Sequence, residues 1–225
     1  MFKTLEGVRV IDFGMAAAGP VVGKILREYG AEVIMVEPVN GTSTRWMDRS
    51  YDYWANGKKS VPVNIKTPEG REIVYRLVKS ADVFLSNYRE KALINNELTY
   101  EKLKAINPGI IYARMYGWGP KGPLKDSPAY DITAFWARGG YLRDMAEKGT
   151  ICVGPQGVAD ASMGPTLASG ICAALYHKLK TGEGCELDTS IYAQAIFLNV
   201  FQSVNAQLGE EYPKTRTQPR EALVN

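Results

Sequence analysis

The feature that most constrains this chain is the alternation, over its first half, of short β-branched runs with amphipathic segments. VRVIDF at 8–13 and AEVIMVEP at 31–38 bracket GMAAAGP and VVGKILREYG. This reads as strand, helix and strand with short connections, a unit that closes as a right-handed crossover between parallel strands. SVPVNI at 60–65 is a third strand. KTPEGREIVYRLVKSA follows as a helix with Thr67 at the N-cap and Pro68 in the first turn. ADVFLSNY at 81–88 is a fourth strand, TYEKLKAI at 99–106 a short helix closed by Asn107 and Pro108, and GIIYARMYG at 109–117 a fifth strand. The order βαββαβαβ predicts an α/β fold built on an open, doubly wound sheet. VNGTSTRWMDRSYDYWANGKKS, between the second and third strands, is too rich in Gly, Ser and Asn for regular structure and is read as a long loop.

Beyond Gly117 the texture changes. WGPKGPLKDSPAY is a Gly/Pro loop, DITAFWARGGYL a helix ending at Gly139 and Gly140, and PTLASGICAALYHKLKTG at 165–182 a small-residue helix. CELDTSIYAQAIFLNVFQSVNAQLG reads as a strand running into a long apolar helix. The expected organisation is one domain over 1–210 and a polar linker over 211–225.

Composition narrows the partners. The 27 basic and 24 acidic residues leave a net charge of +3, and no block of like charge stands out, which argues against nucleic acid and membrane surfaces but leaves a small anion open. No apolar run approaches the ~18 residues of a membrane span, and MFKTLEGVRV lacks the layout of a signal peptide, so the cytoplasm is the expected location. Cys152, Cys172 and Cys185 lack metal-ligand spacing and stand beside a single histidine, His177, so no metal site is expected and the thiols are read as reduced. His177 is read as structural.

Two acids carry the candidate chemistry. Asp160 lies between Gly157 and Gly164 among Ala159, Ala161 and Ser162, where a bulky ligand can approach a carboxylate closely. Asp131 lies between a Pro loop and an apolar helix. Each is equally a helix N-cap, since Asp is favoured there and by the helix dipole. Together they suit a nucleophile and its helper, or a general acid and base. FGMAAAGP places Ala16, Ala17 and Ala18 where a dinucleotide would need glycines, so NAD and FAD are poor fits, while small residues still permit close approach of a ligand. Lys66, Arg89, Lys91, Lys121 and Lys125 punctuate loops at predicted strand ends, where doubly wound sheets bind ligands, and suit either phosphate or open solvent.

LEGVRVIDFG, AAAGP, GAEVIMVEP, KTPEGREIVYRLVKSADVFLSNYR, the Asp160 loop and HKLKTGEG, in this order, resemble the class III coenzyme A transferases of the CaiB/BaiF family. The resemblance covers essentially the whole chain. It implies a Rossmann-like large domain, an intertwined homodimer and acyl-CoA chemistry, with no permanently bound cofactor and with coenzyme A or acyl-CoA as substrate beside a small carboxylic acid. The family's nucleophilic aspartate falls on Asp160, with Ala159 in place of a usual glycine, and Asp131 falls at the position of a second acid. Its CoA-contacting stretches fall on Ala16, Ala17 and Ala18, on Val63 to Lys66, and on Asn87 and Tyr88. A basic residue the family often places shortly afterwards falls on Asn95, which makes Arg89 and Lys91 its substitutes in holding phosphate.

SNYREKALINNELTYEKLK and YDITAFWARGG resemble the transferases for 2-hydroxyacyl and aryl-lactate acids. The family's α-methylacyl-CoA racemases, the alternative reading, place a histidine where this chain has Tyr130. In the family a second, smaller domain follows the stretch that matches residues 1–225, and the resemblance leads to the expectation that this chain lacks it. The resemblance therefore implies a homodimer or a complementary chain carrying that domain. A remnant that binds CoA or a partner without turnover is the non-catalytic alternative.

Overall fold

The computed structural model describes residues 3–47, 50–146, 150, 152 and 154–209; the linker expected at 211–225 lies outside them. The elements run β1 (Arg9–Phe13), α1 (Ala18–Glu28), β2 (Glu32–Glu37), α2 (Thr44–Met47), α3 (Ser50–Ala55), β3 (Lys59–Pro62), α4 (Pro68–Lys79), β4 (Val83–Ser86), α5 (Glu90–Asn95), α6 (Tyr100–Ile106) and β5 (Ile111–Tyr116). A π-helix (Asp131–Ala137), α7 (Tyr141–Met145), α8 (Val158–Thr181), β6 (Glu186–Ser190), α9 (Ile191–Leu198) and α10 (Val200–Gln207) complete the described fold.

The six strands among the described residues are all parallel, in the order β3-β2-β1-β4-β5-β6. This is the doubly wound Rossmann order, whose chain reversal beside β1 opens a crevice at the carboxyl ends of β1 and β4. Both faces are covered. Val10, Val33, Val83, Leu85, Ile111 and Ala113 pack with α1, α8 and the π-helix, while Ile11, Ile34, Phe84 and Tyr112 pack with α4, α5 and α6. Burial on both faces explains why the strands are near-continuous apolar runs rather than alternating ones.

Two helices set the geometry of the crevice. α8 sends Ala159, Met163, Leu167, Ile171 and Leu175 inward at four-residue spacing. It packs most extensively on α1, and a Cβ at Gly164 would stand 3.0 Å from Val21 and Ile25. Val21 and Gly164 both lie early in their helices, so this close crossing brings the two N-termini to the same end of the sheet. Each large side chain in the stripe contributes about 1.5–3 kcal/mol by leaving water.

Several expected boundaries move. The stretch read as a long loop holds α2 and α3, and the third strand ends at Pro62 rather than residue 65. The small-residue helix begins at Val158, not Pro165, which lies inside it. The long apolar helix is two, divided at Asn199, whose buried Nδ2 donates to the Gly139 carbonyl at 3.1 Å. Among the described residues no helix is long and apolar enough to cross a membrane.

Candidate active site

The crevice is a cleft of about 1230 Å³ that brings together segments distant in sequence: Ala16 and Ala18 before and within α1, Asn87 to Ala92 after β4, Tyr116 and Gly117 at the end of β5, Tyr130 and Asp131, and Asp160 on α8. It exceeds the roughly 300–1,000 Å³ of ordinary small-molecule sites and so suits a long ligand.

Asp160 is not an N-cap. That position belongs to Gly157, in the left-handed conformation at φ 80°, and Asp160 sits in the first helical turn. Nor does Asp131 cap its own helix, whose N-cap is Tyr130. Instead Asp131 caps α8 from outside. Its Oδ2 accepts from Gly157 N at 2.8 Å and Trp136 Nε1 at 3.1 Å, and its Oδ1 accepts from Ala159 N at 2.8 Å. The orphan donors of a helix start are thereby satisfied across the chain, which lets the helix begin seven residues before its proline.

Burial, with a smaller contribution from the negative charge of Asp131, pushes the Asp160 carboxyl up to about 6. The helix dipole acts the other way, but its worth of about 0.3–1 kcal/mol at such a position is less than one pKa unit, and desolvation wins. A carboxylate so placed is poorly solvated, and near neutral pH it is still mostly ionised. That combination suits a nucleophile.

The opposite wall is the turn between β1 and α1. Asn87 clamps it, accepting from Met15 N through Oδ1 and donating to Met15 O through Nδ2, both at 2.8 Å. Beneath it Lys58, whose side chain is fully buried, donates to Asp12 at 2.9 Å and to the Pro20 carbonyl at 2.8 Å. Asp12 also accepts from Gly14 N at 2.7 Å. A Cβ at Gly19 would collide with the Gly14 backbone, so this turn closes only with glycine there. Ala16 is held at φ 56°, a conformation that L-residues rarely adopt. α1 has no side-chain cap.

A sequence profile described as CoA-transferase family III matches residues 5–224. The chain belongs to CoA-transferase family III. It is 38% identical to the (R)-2-hydroxy-4-methylpentanoate CoA-transferase of Clostridioides difficile, over 98% of this chain and 58% of that protein. It is 36% identical to the cinnamoyl-CoA:phenyllactate CoA-transferase of Clostridium sporogenes, over 85% of this chain and 50% of that protein. A CaiB/BaiF family protein from Brucella suis superposes with a TM-score of 0.87 at 30% identity, over 95% of this chain and 60% of that one. The chain thus spans about half the length of the curated relatives it matches.

Against the residues expected from this family's pattern, Asp160, Asp131, Ala16, Ala18, Asn87, Tyr88, Arg89 and Lys91 all line the one cleft. Ala17 is the N-cap of α1, between two lining residues. Val63 and Lys66 stand apart at the outer edge of the sheet, beyond β3; Val63 is buried in the core and Lys66 is exposed. Lys125 lines the cleft and Lys121 does not. His177 is exposed on α8, near the helix end farthest from Asp160. Sequence reasoning missed Arg114, Asp12 and Lys58. Their only signal was a charged residue inside an apolar strand or beside one, whose partners lie 24 to 46 positions away.

The dinucleotide alternative meets a further obstacle here. In dinucleotide-binding folds the acid near the end of β2 takes the ribose hydroxyls. The corresponding Glu37 is buried and occupied by Arg45 at 2.7 and 2.8 Å, Ser60 at 2.8 Å and Tyr51 at 3.0 Å. Burial alone would raise its carboxyl, but these bonds hold it below its ordinary value.

Proposed function

We propose that this chain supplies the CoA-binding, nucleophile-bearing part of a CoA transferase that moves coenzyme A from an acyl-CoA donor to a carboxylic acid, with Asp160 as the covalent nucleophile. The observation that carries this reading is a poorly solvated carboxylate at the start of α8, sharing a cleft with the Ala16–Ala18 turn and the Asn87–Lys91 segment.

In the first step the Asp160 carboxylate attacks the donor thioester, forming an aspartyl acyl anhydride and expelling CoA thiolate. The thiolate attacks the aspartyl carbonyl of that anhydride, giving an aspartyl-CoA thioester and the free donor carboxylate. The acceptor carboxylate then attacks this thioester to give a second anhydride, and the released thiolate takes the acceptor acyl group, restoring Asp160. Each tetrahedral intermediate needs N–H donors for its oxyanion. The turn around Asp160 offers fewer than the sequence suggests, because Gly157 N and Ala159 N are spent on Asp131. The uncapped first turn of α1 at Ala17 and Ala18 is the better source.

Arg89 and Lys91 hold phosphate in this reading, and Ala16, Ala17 and Ala18 admit the thioester. The relatives named for 2-hydroxy-4-methylpentanoate and phenyllactate favour a branched or aryl 2-hydroxy acid as acceptor. Tyr130, where a racemase would carry an imidazole, is 71% exposed and lines the cleft. A phenol there weighs against α-proton exchange. The partner is a second copy or a chain carrying the small domain, covering Phe197, Phe201 and Leu208, which are 72%, 79% and 75% exposed on and just after α9 and α10.

Intact-mass analysis after incubation with cinnamoyl-CoA or a 2-hydroxyacyl-CoA tests the reading. An acyl or CoA adduct that maps to Asp160 and is cleaved by hydroxylamine is expected. An adduct on another residue would remove Asp160 from the role.

A further inference from the structure

Arg114 is a charged residue inside the sheet. It stands on β5 with 1% of its surface exposed and is one of the largest fully buried side chains in the described fold. Strand alternation puts Tyr112, Arg114 and Tyr116 on the face toward α5 and α6. The guanidinium donates to Glu90 Oε2 at 2.7 Å and to the Tyr88 carbonyl at 3.0 Å, and it lies 4.6 Å from the centre of the Tyr116 ring. Its Nε, also buried, has no acceptor. Burying a guanidinium with incomplete pairing is costly, and an apolar side chain of similar volume would fill the space at less expense.

What the charge accomplishes is local. It fixes two points on the segment joining β4 to α5, the Tyr88 carbonyl and the Glu90 carboxylate, which flank Arg89 and immediately precede Lys91. Arg89 is the N-cap of α5, with extended backbone at φ −62° and ψ 148° and no side-chain capping bond. Arg89 and Lys91 are exposed and line the cleft.

We infer that Arg114 is a positioning residue: through Glu90 and the Tyr88 carbonyl it sets the course of Tyr88–Lys91 so that Arg89 and Lys91 meet the phosphates of a CoA thioester. The inference rests on the CoA-binding reading above. It assigns Glu90, an acid in a cleft for a polyanion, the role of a brace.

Charge counting and positioning predict opposite signs for Glu90. Glu90, Glu101 and Glu186 all line the cleft, and they lie near enough for Glu101 and Glu90 to add to the upward push that burial gives the Glu186 carboxyl. By charge alone, neutralising any of them tightens binding of a polyanion. By positioning, Glu90→Gln weakens it, because Arg114 loses its acid and the segment its anchor, while Glu186→Gln follows the charge rule.

Calorimetric titration of the full chain with CoA itself decides the matter. Glu186→Gln is expected to bind CoA more tightly than the unmodified chain by about twofold. Glu90→Gln is expected to bind about tenfold more weakly, the scale of one lost charge-assisted hydrogen bond. Glu90→Gln leaves the buried Arg114 without its carboxylate, so the melting temperature falls, and hydrogen exchange accelerates at residues 88–92 more than in the strands of the sheet. Arg114→Met is expected to weaken CoA to a similar degree, with the double variant no weaker than either single one. Where Arg114→Met fails to fold, Glu90→Gln still decides.

Tighter or unchanged CoA binding by Glu90→Gln overturns the inference and leaves the CoA reading standing. Absence of CoA binding by the unmodified chain overturns both.

Discussion

On the α8 wall of the cleft a buried carboxylate, Asp131, is met by three neutral N–H donors, whereas at the β5 end a buried guanidinium, Arg114, is met by a carboxylate and a carbonyl. Both residues hold a neighbouring segment in place from outside it. They differ in where their charge goes. Glu90 neutralises Arg114 locally, so its effect on the cleft is geometric. No cation neutralises Asp131 among these contacts, and its charge is felt by Asp160, adding to the upward push of burial. One device tunes geometry alone, and the other tunes geometry and proton affinity together.

The harshest way to break this comparison is to remove the group that Asp131 serves. Asp160→Ala is expected to lower adduct formation from acyl-CoA by about 10³-fold or more, since the carboxylate that forms the anhydride in this reading is gone. Mass spectrometry of the quenched protein reads this directly, and an adduct that persists would dissociate the α8 wall from the chemistry.

Asp131→Asn comes next. Asparagine replaces one acceptor oxygen by an N–H₂ group, which then faces a backbone or indole N–H, so a buried donor is left unmatched. We expect a loss of about 1–3 kcal/mol in stability by denaturant unfolding, together with about a 10²-fold slower adduct formation as the start of α8 loosens. Unchanged stability would mean that the capping contacts contribute nothing.

The pH dependence sharpens the electrostatic half. The Asp160 carboxyl is raised from the ordinary aspartate range to about 6, so adduct formation is expected to rise with pH through that value. In Asp131→Asn the midpoint moves to lower pH while staying above an ordinary aspartate, because burial, the larger cause, remains. The sign for stability is opposite to that for rate. Between an ordinary aspartate pKa and about 6 the folded state holds a proton that the unfolded state has released, so this group's contribution to stability is lost as pH rises through the window. A midpoint that does not move in Asp131→Asn would show that the two carboxylates are not coupled.

The smallest effect belongs to the β1–α1 turn. Ala16 at φ 56° carries a steric cost that glycine lacks. Ala16→Gly is expected to change stability by less than about 1 kcal/mol, since relief of strain is offset by the freer unfolded chain, whereas Ala16→Val lowers it by more. Denaturant midpoints compare the two, and a tolerated valine would show that the turn has another conformation open to it.

Most of the parallel sheet was legible because its strands are local apolar runs and its helices carry their own start and stop signals. Thr67 caps α4 by accepting from Gly70 N at 3.1 Å, as the Thr-Pro-Glu spacing implies. The candidate site was legible in part. Asp160 and Asp131 stood out as lone acids among small residues or beside an apolar helix, but their relation was not, since Asp131 caps a helix that begins 27 residues later. Val63 and Lys66 matched a pattern in sequence, and the fold sets them beyond β3, the edge strand, outside the lining of the Asp160 cleft.

The sequence by itself determined the periodicities, hence the βα alternation, the parallel sheet and the identity of the carboxylates. Tertiary structure alone decided where α8 begins, which acid is raised toward neutrality and which buried charge meets the Tyr88 carbonyl and Glu90. The reason is physical: backbone propensity and amphipathic spacing act between neighbours in the chain. Desolvation, charge–charge coupling and the satisfaction of a helix's first N–H groups depend on which residues the packed fold brings together.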